Sequence, residues 1–290
     1  LAGRPAARAR RAREPGYVLT EAGFGADMGL ERFIDLKCAT SGMRPEAAVL
    51  VVTVRALKTH SGRHHLAGRQ EPPDRMLHES ADDVRAGAPN MLKHLDIVRG
   101  FGLEPVVAVN VFPTDHDAEI DEVLRLARGA GARAAAGRPV TDGGEGCLEL
   151  ADAGVEACDR ARAGAVARGR PVYRPDDDLR TKIGAVASVY GADGVDYAPA
   201  AARFLDDCES DGFGSLPVVV AKTPLSLSHD PALKGVPTGW RLPVREVRLA
   251  AGAGYVYALC GTVSTMPGLP THPAAERIEV APTGEILGLR

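Results

Sequence analysis

Two cationic side chains, Arg55 and Lys58, follow a β-branched run at residues 47–54. Such a run is typical of a strand that is buried on both faces of a parallel sheet. Ligands of open parallel sheets bind beyond the carboxyl ends of the strands, so both cations are candidates for binding phosphate or carboxylate groups. The alternative that the pattern leaves open is that they are solvated loop residues.

A second strand-like run, at residues 105–110, ends in Asn110 and is followed by Asp115. If the two runs are parallel strands of one sheet, these polar groups lie at the same edge as the cations. Asp115 has two candidate roles, because an aspartate at a strand-to-helix junction can bind a ligand or cap the following helix. The two runs together predict an α/β protein with a polar crevice for an anionic ligand.

Apolar residues at helical spacing alternate with these strand-like runs. They predict helices at about residues 90–101 and 117–129, which gives the strand–helix–strand–helix order of an α/β fold. The long polar segment from Thr59 to Pro89 is predicted to be a functional or disordered loop. Its histidines lack ligand spacing on a regular element, so we predict no metal site there.

The second half of the chain has a different pattern. We predict helices at residues 148–167 and 179–190, strands at 216–221, 245–250 and 254–260, and a terminal hairpin at 278–280 and 285–287. The glycine-rich residues 143–146 mark the change of pattern, which predicts one domain at residues 1–145 and a second at residues 146–290.

Composition and charge exclude several classes of protein. A net charge of −3 over 290 residues argues against a nucleic-acid binder and gives no reason to expect a membrane-bound protein. The five cysteines are far apart and form no CxxC pair, which favours a reducing cytoplasm over a disulfide framework. No apolar run is long enough to span a bilayer. The phosphate-binding motif GxxxxGK[ST] and the motifs GxSxG and HExxH are absent from the sequence.

Nine segments of the chain resemble, in order, segments of the formate–tetrahydrofolate ligase family, whose members are also called 10-formyltetrahydrofolate synthetases. They are residues 20–27 (TEAGFGAD), 51–62 (VVTVRALKTHSG), 109–115 (VNVFPTD), 143–146 (GGEG), 190–195 (YGADGV), 212–218 (GFGSLPV), 221–223 (AKT), 244–248 (VREVR) and 265–276 (TMPGLPTHPAAE). Chance does not produce this many matches in one order.

The resemblance covers only the C-terminal half of the family, from about residue 18 onward. It implies an incomplete P-loop-NTPase-like parallel sheet layer that lacks the P-loop half, followed by a smaller mixed α+β C-terminal domain. The family reaction joins formate to tetrahydrofolate through a formyl phosphate intermediate. The resemblance therefore implies ATP with Mg²⁺ as co-substrate, tetrahydrofolate as substrate, a monovalent cation as a further ligand, the missing N-terminal P-loop half as a partner, and a homo-oligomer.

The resemblance also implies a site on particular residues. Phe24 and Phe112 match two aromatic positions that stack on the pterin ring of the folate. The other implied site residues also lie in matching segments: Arg55 and Lys58 in residues 51–62, and Asn110 and Asp115 in residues 109–115. Several positions depart from the family; among them, Val140 replaces a tryptophan, Val111 an arginine and Pro224 a glutamine. These departures leave two alternatives to an active ligase, which are an inactive folate- or nucleotide-binding module and a half that serves mainly oligomer contacts.

Overall fold

A three-stranded parallel sheet organises the first part of the protein. The computed structural model describes residues 16–64, 72–164, 169–261, 272–284 and 286–288. The strands are β1 (Ala47–Val52), β2 (Glu104–Asn110) and β3 (Arg133–Gly137), with β2 in the centre. The register pairs Val52 with Val109 and Asn110 with Gly137, so the three carboxyl ends lie at one edge.

Four helices connect and cover these strands. They are α1 (Val54–His60), α2 (Ala81–Gly100), α3 (Asp117–Gly129) and α4 (Leu148–Arg162). Apolar residues of α2 and α3 pack against one face of the sheet, and α4 packs against β2 and β3. Gly87 allows α1 and α2 to approach closely, because a Cβ there would lie 1.8 Å from the Leu57 carbonyl oxygen.

The second part contains further strands and two helices. The helices are α5 (Leu179–Tyr190) and α6 (Pro199–Ser210), and the strands are β4 (Val195–Tyr197), β5 (Val218–Ala221), β6 (Leu242–Val244), β7 (Glu246–Ala250) and β8 (Tyr255–Leu259). Strand β8 pairs in parallel with β5 and antiparallel with β7, and β4 pairs in parallel with β6. Strands β9 (Glu279–Val280) and β10 (Ile286–Leu287) form an antiparallel hairpin.

A helix at residues 26–41 connects the two parts. It is π-helical at Ala26–Leu30 and Phe33–Cys38 and ends in an α-helical turn at Ala39–Ser41. One of its cations, Arg32, donates to the carbonyl oxygen of Val220 in β5 at 2.6 Å. The apolar side of this helix packs with residues of α2 in one core cluster, so it is in contact with both sheets. We call it the bridging helix.

The structure confirms most of the predicted elements and corrects one of them. The mixed α/β fold with a parallel sheet, the helices at 117–129 and 179–190 and the terminal hairpin are confirmed. The prediction of a loop from Thr59 to Pro89 is wrong for most of the described part: α2 begins at Ala81, where the Ser80 hydroxyl accepts from the Asp83 amide. Residues 65–71 lie outside the described residues. The division into domains at residue 145 stays a prediction.

The remaining short elements are single turns. They are helical turns at Asp74–Leu77 and Pro139–Asp142 and 3₁₀ turns at Glu145–Cys147 and Ala274–Glu276.

Candidate functional site

The carboxyl edge of the parallel sheet brings Arg55 and Phe112 together. The Arg55 guanidinium lies 4.4 Å from the centroid of the Phe112 ring and donates to the Thr114 hydroxyl at 2.7 Å. Its Nε is buried and has no hydrogen-bond partner among the described residues. Arg55 belongs to α1, which the Thr53 hydroxyl caps by accepting from the Ala56 amide, so its assignment to a loop is wrong. The edge thus presents a half-buried cation against an aromatic ring.

Asp115 shapes the turn that carries Phe112. Its Oδ2 accepts from the Phe112 amide at 2.9 Å, and its own amide donates to the Phe112 carbonyl oxygen at 2.9 Å. Burial raises the pKa of the Asp115 carboxyl, and the bond from the Phe112 amide partly offsets that rise. The prediction that Asp115 caps the next helix is wrong, because His116 occupies the capping position of α3. Asp115 instead fixes the backbone that presents the ring.

Asn110 and Val140 lie at the same edge as this turn. Asn110 ends β2 opposite Gly137 of β3, and the Val111 amide donates to the Gly137 carbonyl oxygen at 3.1 Å. The chain then leaves β3 into the turn at Pro139–Asp142, where Val140 is 83% exposed. A larger side chain at Val140 would therefore extend into solvent at the edge without meeting the core.

Lys58 occupies a different environment from Arg55, although both belong to α1. Its ammonium is buried, donates to the carbonyl oxygens of Met76 and His78 at 2.8 Å each, and forms an ion pair with Glu119. The solvated-loop interpretation of Lys58 is therefore wrong. These contacts join α1 to the segment before α2 and to α3, so Lys58 organises the elements that carry the edge.

Phe24 lies beside the start of the bridging helix. Its side chain is 68% exposed, and its backbone has a φ of 65°, which is unusual for a bulky residue. The next residue, Gly25, packs against α2, because a Cβ there would lie 2.8 Å from Cε1 of His94. In the described part of the chain, no ring contact joins Phe24 to Phe112.

A buried ion pair between Lys222 and Asp27 was not predicted from the sequence. The Lys222 ammonium lies 2.6 Å from Asp27 Oδ2, donates to the Ser226 carbonyl oxygen at 2.7 Å and lies 4.9 Å from the centroid of the Tyr190 ring. Burial lowers the pKa of Lys222, and Asp27 opposes that effect. Both residues belong to segments that resemble the family, at residues 20–27 and 221–223, but nothing in their spacing indicated that they meet.

Two further acids follow Asp27 at intervals of four on the bridging helix. Glu31 is fully buried, and neither of its carboxyl oxygens has a hydrogen-bond partner among the described residues. Asp35 is also buried, and its Oδ1 accepts from the Val172 amide at 2.9 Å. Burial raises the pKa of Glu31 well above its usual range and that of Asp35 to about 7.

The substitution Asp35→Asn is expected to change the pH dependence of stability. A carboxyl whose pKa rises to about 7 on folding stabilises the folded state below its usual pKa of 3.8, and that stabilisation is lost as the pH rises towards 7. Asparagine keeps the acceptor for the Val172 amide and needs no proton. We therefore expect its melting temperature to exceed that of the wild type by several degrees at pH 8, with the difference shrinking towards pH 4.

Thermal unfolding followed by circular dichroism from pH 4 to pH 8 measures this difference. Asp176→Asn is the matched control, because the Arg174 guanidinium lowers the pKa of this exposed carboxyl. The assignment is contradicted if Asp35→Asn and the wild type keep the same difference in melting temperature at every pH.

Two features expected of other classes of site do not occur in the described residues. No group of three or more histidine, cysteine, aspartate or glutamate residues there is arranged to hold a metal ion. Over the same residues, no helix has both the length and the apolar character needed to cross a membrane.

Comparison with known proteins gives one consistent family. The sequence model of the family formate–tetrahydrofolate ligase matches residues 5–290. Proteins named formate–tetrahydrofolate ligase from Cutibacterium acnes and Saccharopolyspora erythraea are each 59% identical to this chain, over 274 and 275 residues. The protein named formate–tetrahydrofolate ligase 3 from Rubrobacter xylanophilus is 49% identical over 282 residues.

The matches cover nearly all of this chain but only about half of each relative. They cover 94–96% of this chain and 48–49% of the relatives, so the chain spans about half the length of the curated relatives it matches. The family model covers nearly all of the chain, and the relatives agree with it in name. On this evidence the chain belongs to the formate–tetrahydrofolate ligase family.

Proposed function

We propose that this chain supplies the folate-binding half of an ATP-dependent formate–tetrahydrofolate ligase that acts in one-carbon metabolism in the cytoplasm. The observation that carries the proposal is the pairing of Arg55 with Phe112 at the carboxyl edge of the parallel sheet. An aromatic face beside a guanidinium suits a flat heterocycle that bears carboxylates, which is the chemistry of tetrahydrofolate.

In the proposed reaction, a formate oxygen attacks the γ-phosphorus of ATP and the bond to ADP breaks, giving formyl phosphate. N10 of tetrahydrofolate then attacks the formyl carbon, inorganic phosphate leaves, and N10 loses its proton. ATP thereby converts an unreactive carboxylate into a mixed anhydride with a good leaving group. The protein must hold this intermediate beside the amine and away from water.

Each predicted residue has a proposed role in that task. The rings of Phe112 and Phe24 stack on the pterin, and Arg55 binds a carboxylate or phosphate. Asn110 and Asp115 provide polar contacts at the strand end, and Asp115 also fixes the turn of Phe112. Lys58 supports substrate binding as a positioning residue, because its ammonium is occupied by carbonyl oxygens and Glu119.

The remaining parts of the reaction are proposed to come from outside this chain. The half of the relatives that the chain does not span would complete a P-loop-NTPase-like sheet and bind the phosphates of ATP with its Mg²⁺. The described residues form no cluster suited to a metal ion, so we derive no step through Mg²⁺ or through a monovalent cation. We also propose that the protein assembles into a homo-oligomer.

Phe112→Ala tests the stacking role directly. Loss of a stacked ring removes about 0.5–1.5 kcal/mol beyond the buried area, so we expect tetrahydrofolate to bind about ten-fold more weakly. Val140→Trp restores an aromatic side chain at the same edge and is expected to tighten binding. Isothermal titration of tetrahydrofolate into the chain, combined with the P-loop half of a relative, gives both dissociation constants.

Phe204→Ala is the matched control, because it removes a partly exposed phenylalanine from α6, far along the chain from the edge. The stacking assignment is wrong if Phe112→Ala and Phe204→Ala bind tetrahydrofolate equally well. The alternative of an inactive binding module is not favoured, since the matched relatives are named as ligases.

A further inference from the structure

The segment that carries Phe24 folds back onto the start of the bridging helix. The backbone of Gly29 lies against the carbonyl oxygen of Gly23, because a Cβ at Gly29 would clash with that oxygen. The Gly29 amide also donates to the carbonyl oxygen of Gly25 at 2.7 Å. Phe24 therefore lies in a tight turn, and we call residues 23–29 the Phe24 turn.

The conformation of Phe24 has to be imposed by its surroundings. Its φ of 65° lies in the left-handed region, which costs free energy for a bulky residue and persists only where neighbouring contacts enforce it. The ring itself is 68% exposed, so its position depends on the backbone more than on packing of the ring. A contact that fixes this backbone therefore fixes where the ring lies.

Asp27 makes such a contact and connects the Phe24 turn to the end of β5. A Cβ at Gly25 would lie 2.6 Å from Oδ1 of Asp27 and 2.8 Å from Cε1 of His94, so both side chains lie against the residue that follows Phe24. The other carboxylate oxygen of Asp27, Oδ2, accepts from the Lys222 ammonium at 2.6 Å. The carboxylate thus joins the backbone of the turn to a lysine of the second sheet.

The Lys222 ammonium is fully occupied inside the protein. Besides Asp27, it donates to the carbonyl oxygens of Thr223 and Ser226, at 3.2 and 2.7 Å. Its side chain is completely buried. An ammonium has three hydrogens to donate, so none is left for a ligand. Any influence of this lysine on ligand binding is therefore indirect.

We propose that Asp27 and Lys222 are positioning residues for tetrahydrofolate, because their ion pair holds the Phe24 turn in the conformation in which the exposed ring stacks on the pterin. The inference rests on the proposed function, in which Phe24 is one of the stacking rings. Since the pair acts through the ring, its effect on affinity disappears once the ring is removed.

A double-variant cycle tests whether Asp27 acts through Phe24. Asp27→Ala and Phe24→Ala should each weaken tetrahydrofolate binding by about ten-fold, which corresponds to the loss of a stacked ring. The variant with both substitutions should bind no more weakly than Phe24→Ala alone, because the two changes remove the same contact. Asp27→Asn keeps an acceptor for Lys222 and should recover most of the affinity. The titration described for Phe112→Ala gives all four dissociation constants.

Lys182→Met is the matched control for the loss of a buried lysine contact. Lys182 is also completely buried, and its ammonium donates to the carbonyl oxygens of Gly214 and Leu216 before β5 instead of to the Phe24 turn. We expect this variant to lose stability and to bind tetrahydrofolate as tightly as the wild type.

Amide hydrogen exchange of the chain without ligand measures the hold on the turn independently of binding. The amides of Met28 and Gly29 donate to the carbonyl oxygen of Gly25 and should exchange slowly in the wild type. In Asp27→Ala they should exchange about ten-fold faster, because the charged contact that fixes the turn is lost. Lys182→Met should leave their exchange unchanged.

These measurements distinguish the positioning role from the proposed function. Independent, additive losses in the cycle would overturn the proposal, and so would exchange at the turn that is unaffected by Asp27→Ala. Fast exchange in the wild type also overturns it, and this result does not depend on the folding of any variant. If Phe24→Ala binds tetrahydrofolate as tightly as the wild type while Asp27→Ala still speeds exchange, the stacking role in the proposed function is wrong and the hold of the ion pair on the turn is supported.

Discussion

Replacement of Lys222 by methionine is expected to lower the free energy of unfolding of the chain by about 3–5 kcal/mol. The ammonium of Lys222 is buried against Asp27 and is the partner that neutralises this carboxylate. Its removal leaves Asp27 charged inside the protein and also frees the carbonyl oxygen of Ser226. Urea unfolding followed by circular dichroism measures the loss.

Two comparison variants identify the cause of that loss. The double variant Lys222→Met with Asp27→Leu removes both charges and is expected to regain much of the stability, because buried ion pairs are often replaceable by apolar residues. Arg248→Met breaks an exposed pair with Glu246 and is expected to leave the free energy of unfolding nearly unchanged. If Lys222→Met costs no more than Arg248→Met, the ion pair is not buried in solution.

Lys58→Met is expected to be far more destabilising than Arg55→Met, although the two residues lie one helical turn apart in α1. Lys58 is buried with an ion pair to Glu119 and bonds to two carbonyl oxygens, so its loss should cost about 3–5 kcal/mol. Arg55 is only half-buried and donates to an exposed threonine hydroxyl, so we expect less than about 1 kcal/mol. Thermal and urea unfolding of both variants provide the comparison.

The same two variants should affect ligand binding by different routes. Arg55→Met is expected to weaken tetrahydrofolate binding while the chain stays folded, whereas Lys58→Met should act through lost structure. A wild-type melting temperature for Lys58→Met would contradict the positioning role. The ammonium would then be free in solution, and the direct contact with an anionic ligand that its position after the strand suggested would be favoured.

The elements with strong local signals could be predicted from the sequence. Strand β2 has an unbroken apolar run, and α3 combines regular apolar spacing with a terminal glycine at Gly129. The strand β3 has the sequence RAAAG, and alanine gives little preference for a strand, so only pairing with β2 defines it. The first half of α2 could not be predicted, because Pro89 and the polar residues before it disfavour a helix. Tertiary packing against α1 stabilises this half.

The candidate site also contains some residues whose grouping could be predicted from the sequence and others whose contacts could not. Arg55, Phe112 and Asp115 could be grouped because each follows a predicted strand, and parallel strands place such residues at one edge. The roles of Lys58 and Lys222 could not be predicted, since a lysine and its buried acid are brought together only by the folded chain. Glu119 is 61 positions from Lys58, and Asp27 is 195 positions from Lys222. The spacing of these residues along the chain does not indicate that they are in contact.

The long separation of Asp27 from Lys222 has a consequence for the order of folding during synthesis. The bridging helix leaves the ribosome before its partners in β5 and after it, which emerge about 195 residues later. At a synthesis rate of about 5–20 residues per second, roughly 10–40 s pass between the synthesis of the bridging helix and that of Lys222. Burial in the docking step raises the pKa of the Glu31 and Asp35 carboxyls, so this step is coupled to proton uptake as well as to the burial of side chains.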